Sequence, residues 1–514
     1  MKRTSRKIFA LLLAALLLIG TLQTAVLAAE GNQAAGVCPT IYVHGFMSES
    51  VYTDQNDPSS PEVFPGGAQE ILDAVKPALP EIAGALARGD WDTLGDRMAA
   101  AAVELLSPAF IGEDGEVENG SGVFFVYPKK EDIRPDSVLR FRYDWRADPM
   151  ESAAKLNDFV NYVCDTAGTP QVNMYGHSLG GLVMLTYFTL YGTDRVRSVC
   201  FDTAAVYGET YTGELMTGDL QISSDALAGY LRFLADENDY PVLLDGLVTM
   251  LEKAGVTDLA ERLGNGLLEK VRDTLQRRVL APLFVNWLSI WSMVPDDYVD
   301  DAIDYVFNGF YAGEDHSALR EKVDAYNTQV RAHREETLLA LNENANVYVL
   351  SRYGSMSFPL TSSYTNLGDS VIDTKFSSFG ATTGRVNEPL PADYRATVPA
   401  GYLSPDGTVD ASTCLFPEQT WFLRGLHHSS HPDAVEEMIF TLLYYDGQAT
   451  VDTFEMYPRF MCYDYQTDTF APDAGAPAPQ FGDRLRAGFR EFTALLKDLF
   501  DRLLSRLKDA FRIK

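Results

Sequence analysis

Short runs of apolar and β-branched residues alternate along this chain with longer stretches that repeat at the helical period. Strand-like runs occupy Thr40–Val43 and residues 138–143, 171–175, 196–201, 346–351 and 420–426. Between them, residues 68–88, 91–106, 150–167, 182–191 and 434–444 place apolar side chains three and four apart. In the third of these the stripe is Ala154, Leu156, Phe159, Val160, Val163 and Cys164. Such alternation predicts an α/β fold, a mostly parallel sheet with helices on its faces. About 140 residues separate the runs at 196–201 and 346–351, too many for a loop. Their pattern is helical at 226–234, 242–254, 259–279, 282–293 and 298–310. This predicts a helical insertion over 206–340, a cap on a core built from 29–205 and 341–469; a separate helical bundle is the alternative.

The ends differ from the body. Lys2, Arg3, Arg6 and Lys7 precede the apolar run 8–19, and small residues follow near Ala28. That is the pattern of a signal peptide over 1–28, with a retained anchor as the alternative, so a secreted or cell-surface location is expected. The stretch 470–480 is rich in Ala and Pro and reads as a linker. Beyond it, residues 481–514 form an amphipathic pattern: Leu485, Phe489, Phe492, Leu496, Leu499, Leu503 and Leu507 make the apolar stripe, with Arg and Lys off it. A membrane interface, a protein partner or the chain's own core can each cover such a helix.

The formal net charge of -30 argues against nucleic acid as a partner. Among the five cysteines, Cys164 and Cys200 lie in apolar segments and read as buried thiols. Cys38, Cys414 and Cys462 leave room for one disulfide without fixing a pairing. No CxxC or HExxH spacing occurs, so no metal or organic cofactor is expected.

Candidate chemistry concentrates in Gly176-His177-Ser178-Leu179-Gly180-Gly181, set between a strand-like and a helix-like run. A strand that turns sharply into a helix exposes its Ser in a strained conformation and needs Gly on both sides. Ser178 is therefore the candidate nucleophile, and the start of the helix offers the Leu179 amide to a developing oxyanion. A second amide is expected after an early strand, where His44-Gly45-Phe46 stands, which selects Phe46; a structural His44 in a turn is the other reading.

Tyr-Val-His-Gly-Phe (42–46), Tyr-Asp-Trp-Arg (143–146) and Tyr-Gly-His-Ser-Leu-Gly-Gly (175–181) together resemble the lipase and lecithin-cholesterol acyltransferase-like branch of the α/β-hydrolases. The resemblance covers about 37–201 and 346–445. It implies an α/β-hydrolase fold and a secreted serine hydrolase of lipophilic esters, working through an acyl-Ser178 intermediate. Arg146 is then either near the active-site end of its strand or an ion-pair partner.

In this fold the triad runs Ser, acid, His along the chain. The resemblance places the base three positions after the strand-ending Gly425, selecting His428 over His427, with His431 a third choice. His316 and His333 fall in the insertion and read as solvated. Two segments offer the acid, Asp369 in Gly368–Thr374 and Asp406 in Pro405–Asp410, and spacing favours Asp369. The loser is expected to cap a turn. A catalytically silent binding or adhesion protein on the same fold, a peptidase or amidase, and an acyltransferase remain alternatives.

Overall fold

The computed structural model describes residues 38–64, 78–112, 114–117, 120–219, 276–357, 362–464 and 467–475, with isolated positions between 223 and 274. The expected signal peptide, the expected helix 481–514 and most of 226–275 lie outside the described residues.

An eight-stranded sheet runs through the centre. Its strands are β1 (Thr40–Val43), β2 (Val138–Phe141), β3 (Val172–His177), β4 (Val196–Asp202), β5 (Asn346–Tyr353), β6 (Thr420–Arg424), β7 (Phe460–Asp464) and β8 (Thr469–Pro472). The spatial order is β8-β7-β6-β5-β4-β3-β1-β2, and every pairing is parallel except β7 with β8. Parallel strands need both faces covered, and the sequence provides for that by alternation. Val199, Phe201, Val347 and Val349 enter one core, while Cys200, Tyr348 and Leu350 enter the other. Each fully buried side chain of this size contributes about 1.5–3 kcal/mol of transfer free energy.

Among the described residues the α-helices of six residues or more that accompany the sheet are α1 (Leu79–Arg88), α2 (Trp91–Leu106), α3 (Pro149–Ala167), α4 (Leu179–Tyr191), α5 (Thr210–Met216), α6 (Leu288–Met293), α7 (Asp296–Ile303), α8 (Ser317–Gln329), α9 (Arg334–Asn344) and α10 (Asp433–Tyr444). Helix α3 starts where the Asp148 side chain accepts from the Met150 amide at 2.8 Å, and ends on Gly168 at φ 69°. Helix α4 is different: Leu179 to Phe188 are all buried, so it runs through the core between α3 and α9.

Strands β4 and β5 pair directly, with the described part of 203–345 helical between them. Two segments, Gln276–Val285 and Asp304–Phe310, have the wider π spacing, the first around Pro282. A helix-interior Pro removes a backbone hydrogen bond. Helix α9 packs on α4 and β5, in the layer that flanks the sheet.

Two expectations are corrected. Residues 470–472, read as the start of the linker 470–480, instead belong to the edge strand β8. Asp473 just beyond it accepts hydrogen bonds from Tyr353 and Arg424, the latter at 3.4 Å. Ala and Pro are compatible with an edge strand because one side of its backbone needs no ladder partner. All five cysteines are free, so no pair among Cys38, Cys414 and Cys462 is bridged; Cys164 and Cys200 are buried as expected. Among the described residues no helix is long and apolar enough to cross a membrane.

Candidate active site

The candidate residues gather at the C-terminal ends of the parallel strands, where an open α/β sheet offers a crevice. Strand β3 ends at His177, α4 begins at Leu179, and Ser178 makes the turn at φ 55°, ψ −126°. A non-Gly residue at positive φ is strained and stays there only when its surroundings hold it. Here the Ser178 amide donates to Asp202 O at 3.2 Å, and Ser178 O accepts from Gly181 and Ala205, each at 3.1 Å. A Cβ on Gly176 would lie 2.8 Å from Gly181 N, and one on Gly180 would strike Val43 O. A side chain at either position forces strand and helix apart.

The β1 loop lies against this turn: a Cβ on Gly45 would stand 2.9 Å from Ser178 Cβ. His44 holds the loop from beneath. Its ring is fully buried and stacks on Tyr143 at 4.4 Å; Nδ1 lies 2.9 Å from Gly45 O and Nε2 3.3 Å from the Tyr143 amide. Nδ1 therefore donates and Nε2 accepts, and burial lowers the His44 pKa to about 3. The His44 ring thus braces the loop that carries the Phe46 amide. Among the described residues, neither the Phe46 amide nor the Leu179 amide has a hydrogen-bond partner.

The histidine loop follows β6. His428 Nδ1 donates to Asp369 Oδ2 at 2.8 Å, and the His428 amide donates to Asp369 O, also at 2.8 Å. Asp369 is fully buried. Its Oδ1 accepts from the amides of Val371 (3.0 Å) and Ile372 (2.7 Å), and its Oδ2 also accepts from Thr203. Burial alone would raise the Asp369 pKa, but His428, Thr203 and Arg352 together hold it well below the carboxylate range. His177, next to Ser178, brings its ring to 4.7 Å from that of His428. Among the described residues Ser178 Oγ makes no hydrogen bond, and loose nucleophile–base contacts are common in unliganded sites.

The alternatives fall elsewhere. Asp406 Oδ1 accepts from the Ser404 hydroxyl (2.7 Å), the Thr408 amide (3.1 Å) and the Thr408 hydroxyl (2.7 Å), so it closes its own turn. His427 is buried with Nδ1 3.5 Å from Ser370 Oγ, and burial lowers its pKa to about 4. Arg146 is fully buried, bonded to Asp144 and to Ser121, which makes it an ion-pair partner rather than a crevice residue. His333 is exposed as predicted, but His316 is not: it is buried and stacked on Tyr311 at 3.6 Å.

A second His–Asp pair beside the first had no counterpart in the sequence reading. His177 Nδ1 lies 3.1 Å from Asp202 Oδ2, and Arg352 Nη2 stands 3.4 and 3.3 Å from the two Asp202 oxygens. Arg352 also donates to the carbonyls of His427 and His428, the latter at 2.5 Å, and so ties the histidine loop to the sheet. Burial on its own raises the Asp202 pKa, yet Arg352 and His177 hold it well below the usual range. Burial lowers that of His177 to about 4. The available signal was a charge closing or interrupting an apolar strand, Asp202 after Cys200-Phe201 and Arg352 after Leu350-Ser351, because such a charge must find a partner.

A family description, the alpha/beta hydrolase fold, matches residues 131–222, the stretch from just before β2 to just beyond α5. No curated protein matches the chain. Among solved structures, that of the Tle4-Tli4 complex is similar at 14% identity and TM-score 0.24, over 61% of this chain and 75% of that one. MGS-M2, an alpha/beta hydrolase enzyme from a Medee basin deep-sea metagenome library, is similar at 10% identity and TM-score 0.16, over 61% and 92%. Likenesses this distant add nothing to the argument from geometry. The sheet, its flanking helices and the matched segment are those of an α/β-hydrolase fold.

Proposed function

We propose that this chain of α/β-hydrolase fold is an exported serine hydrolase of carboxylic esters, with Ser178 as nucleophile, His428 as base and Asp369 as acid. The observation that carries the reading is the Asp369–His428 pair at 2.8 Å, with the His428 ring 4.7 Å from that of His177, the residue before a Ser held at positive φ. Asp369 accepts from Nδ1, which fixes the tautomer and leaves Nε2 to take the Ser178 proton as Oγ attacks the ester carbonyl. The depressed Asp369 pKa keeps the carboxylate ionised, so it stabilises the imidazolium that forms. The unpaired amides of Phe46 and Leu179 receive the oxyanion. His428 then protonates the leaving alcohol, and water releases the acyl group by the same steps.

An apolar acyl group fits the surroundings. The Phe46 ring meets Trp145 at 4.8 Å and Trp287 at 5.8 Å, and Trp287 meets Phe284 at 5.4 Å. Phe284 in turn borders a cavity of about 30 Å³ with Met216, Leu280, Val306, Gln276 and Tyr305, which an acyl chain would have to widen. Export rests on the charged and apolar pattern of residues 1–28. The test is a p-nitrophenyl ester series of rising chain length, run against the matching anilides. We expect turnover of esters with a preference for medium or long acyl chains. Faster cleavage of anilides would replace the esterase by an amidase.

A further inference from the structure

Three side chains behind the proposed base meet in a way that its chemistry does not use. His177, Asp202 and His431 each bring one ligand atom within 4.8 Å of the others. Asp202 Oδ2 is 3.1 Å from His177 Nδ1 and 3.9 Å from His431 Nδ1. Tetrahedral zinc, with bonds of about 2.0–2.1 Å, sets neighbouring ligand atoms about 3.3 Å apart. The two spacings from Asp202 bracket that value, and the two histidine nitrogens lie within 4.8 Å of each other. The geometry points to a zinc site formed by His177, Asp202 and His431, through which the ion reversibly inhibits the Ser178–His428 site.

Two imidazoles and one carboxylate suit a borderline cation such as Zn²⁺, whereas Ca²⁺ and Mg²⁺ prefer oxygen ligands. Access is on one side. The His177 and Asp202 side chains are 5% and 2% exposed, while that of His431 is 29% exposed, which gives an entry path and room for water as fourth ligand. Arg352 already neutralises Asp202 from the other side, at 3.3 Å. A dication therefore enters with little compensating charge, so the site binds weakly and reversibly rather than holding a structural ion.

The consequence for turnover rests on the proposed triad; the binding does not. An ion on His177 sits beside the ring that lies 4.7 Å from His428. His428 must become positive as Ser178 attacks, and a nearby dication opposes that charge. Zinc therefore lowers kcat.

The experiment is calorimetric titration of the chelator-treated full chain with ZnCl2, using wild type, Ser178→Ala, His431→Ala and His431→Gln, with CaCl2 as a parallel probe. We expect one Zn²⁺ per chain in wild type and Ser178→Ala, at least tenfold weaker binding in both His431 variants, and no Ca²⁺ binding. Ester turnover by wild type should fall as Zn²⁺ is added, while the His431 variants keep their metal-free rate. Equal affinity in the His431 variants, or none in wild type, overturns the site. Binding that depends on His431 without any effect on turnover overturns the inhibition. His431-dependent binding in a protein that turns over no ester supports the site and overturns the catalytic reading instead.

Discussion

Two histidine–carboxylate pairs with buried carboxylates lie side by side at the end of the sheet, and they are held in different ways. Asp369 accepts from neutral donors, the amides of Val371 and Ile372 and the Thr203 hydroxyl, and from His428, while Arg352 acts on it through space without a hydrogen bond. Asp202 is paired instead with a fixed cation, Arg352, as well as with His177. The first arrangement keeps a charge that a moving proton can use. The second consumes its charge in holding the fold together. On the proposed function, the same two residue types divide into chemistry and architecture according to what neutralises the carboxylate.

That contrast can be broken most forcefully at Asp369. Asp369→Asn should lower kcat on a p-nitrophenyl ester on the order of 10⁴-fold, because the amide favours the wrong His428 tautomer. Its thermal melt should remain cooperative, and a rate within tenfold of wild type would place the acid elsewhere.

Asp202→Asn should show the opposite balance. It strands a fully buried Arg352, and removing one partner of such a pair costs about 3–5 kcal/mol. Denaturant unfolding should register that loss while the folded fraction keeps most of its kcat. If the variant is dead but as stable as wild type, the division between the pairs is wrong.

A third buried carboxylate sharpens the comparison, because no cation among the described residues lowers its pKa. Glu209 is buried, accepts from Thr212, and has its pKa raised to about 8, by burial first and then by Asp373 and Asp369. A folded pKa above the unfolded value of 4.5 means the protonated group contributes stability below about pH 4.5 that is lost as pH rises through 8. Glu209→Gln should therefore flatten the decline in melting temperature between pH 5 and 8.5. Parallel curves for wild type and variant would contradict it.

The smallest effect belongs to Asp406, which closes its own turn, pairs with Arg424 at 3.6 Å and is bonded to no histidine among the described residues. Asp406→Asn should keep the rate within about twofold and cost on the order of 1 kcal/mol, the worth of the hydrogen bonds it weakens. An inactive, folded Asp406→Asn would make this segment the source of the acid.

Legibility in the sequence followed the range of the interactions. The turn at Ser178 was readable because the Gly-x-Ser-x-Gly pattern, the apolar strand before it and the helix after it are contiguous. So were β1 and α2, whose bounds agree with their patterns. Choosing between Asp369 and Asp406 needed the fold, since both sit in similar turn-forming segments and only tertiary placement brings one to His428. The Asp202–His177–Arg352 cluster was missed for the same reason. Its members lie 25 and 150 residues from Asp202 and share no local signature. Strand β8 was hidden by composition, because Ala and Pro between turns look like a linker until an edge strand pairs with them.

The central claim is that Ser178 is a nucleophile activated by His428. Its most direct test is labelling of the purified chain with a fluorophosphonate probe, read by intact mass for wild type, Ser178→Ala and His428→Ala. One adduct per chain in wild type, none in Ser178→Ala and a rate lowered by a thousandfold or more in His428→Ala is the predicted result. An unlabelled but folded wild type, or labelling that survives in Ser178→Ala, would contradict the account.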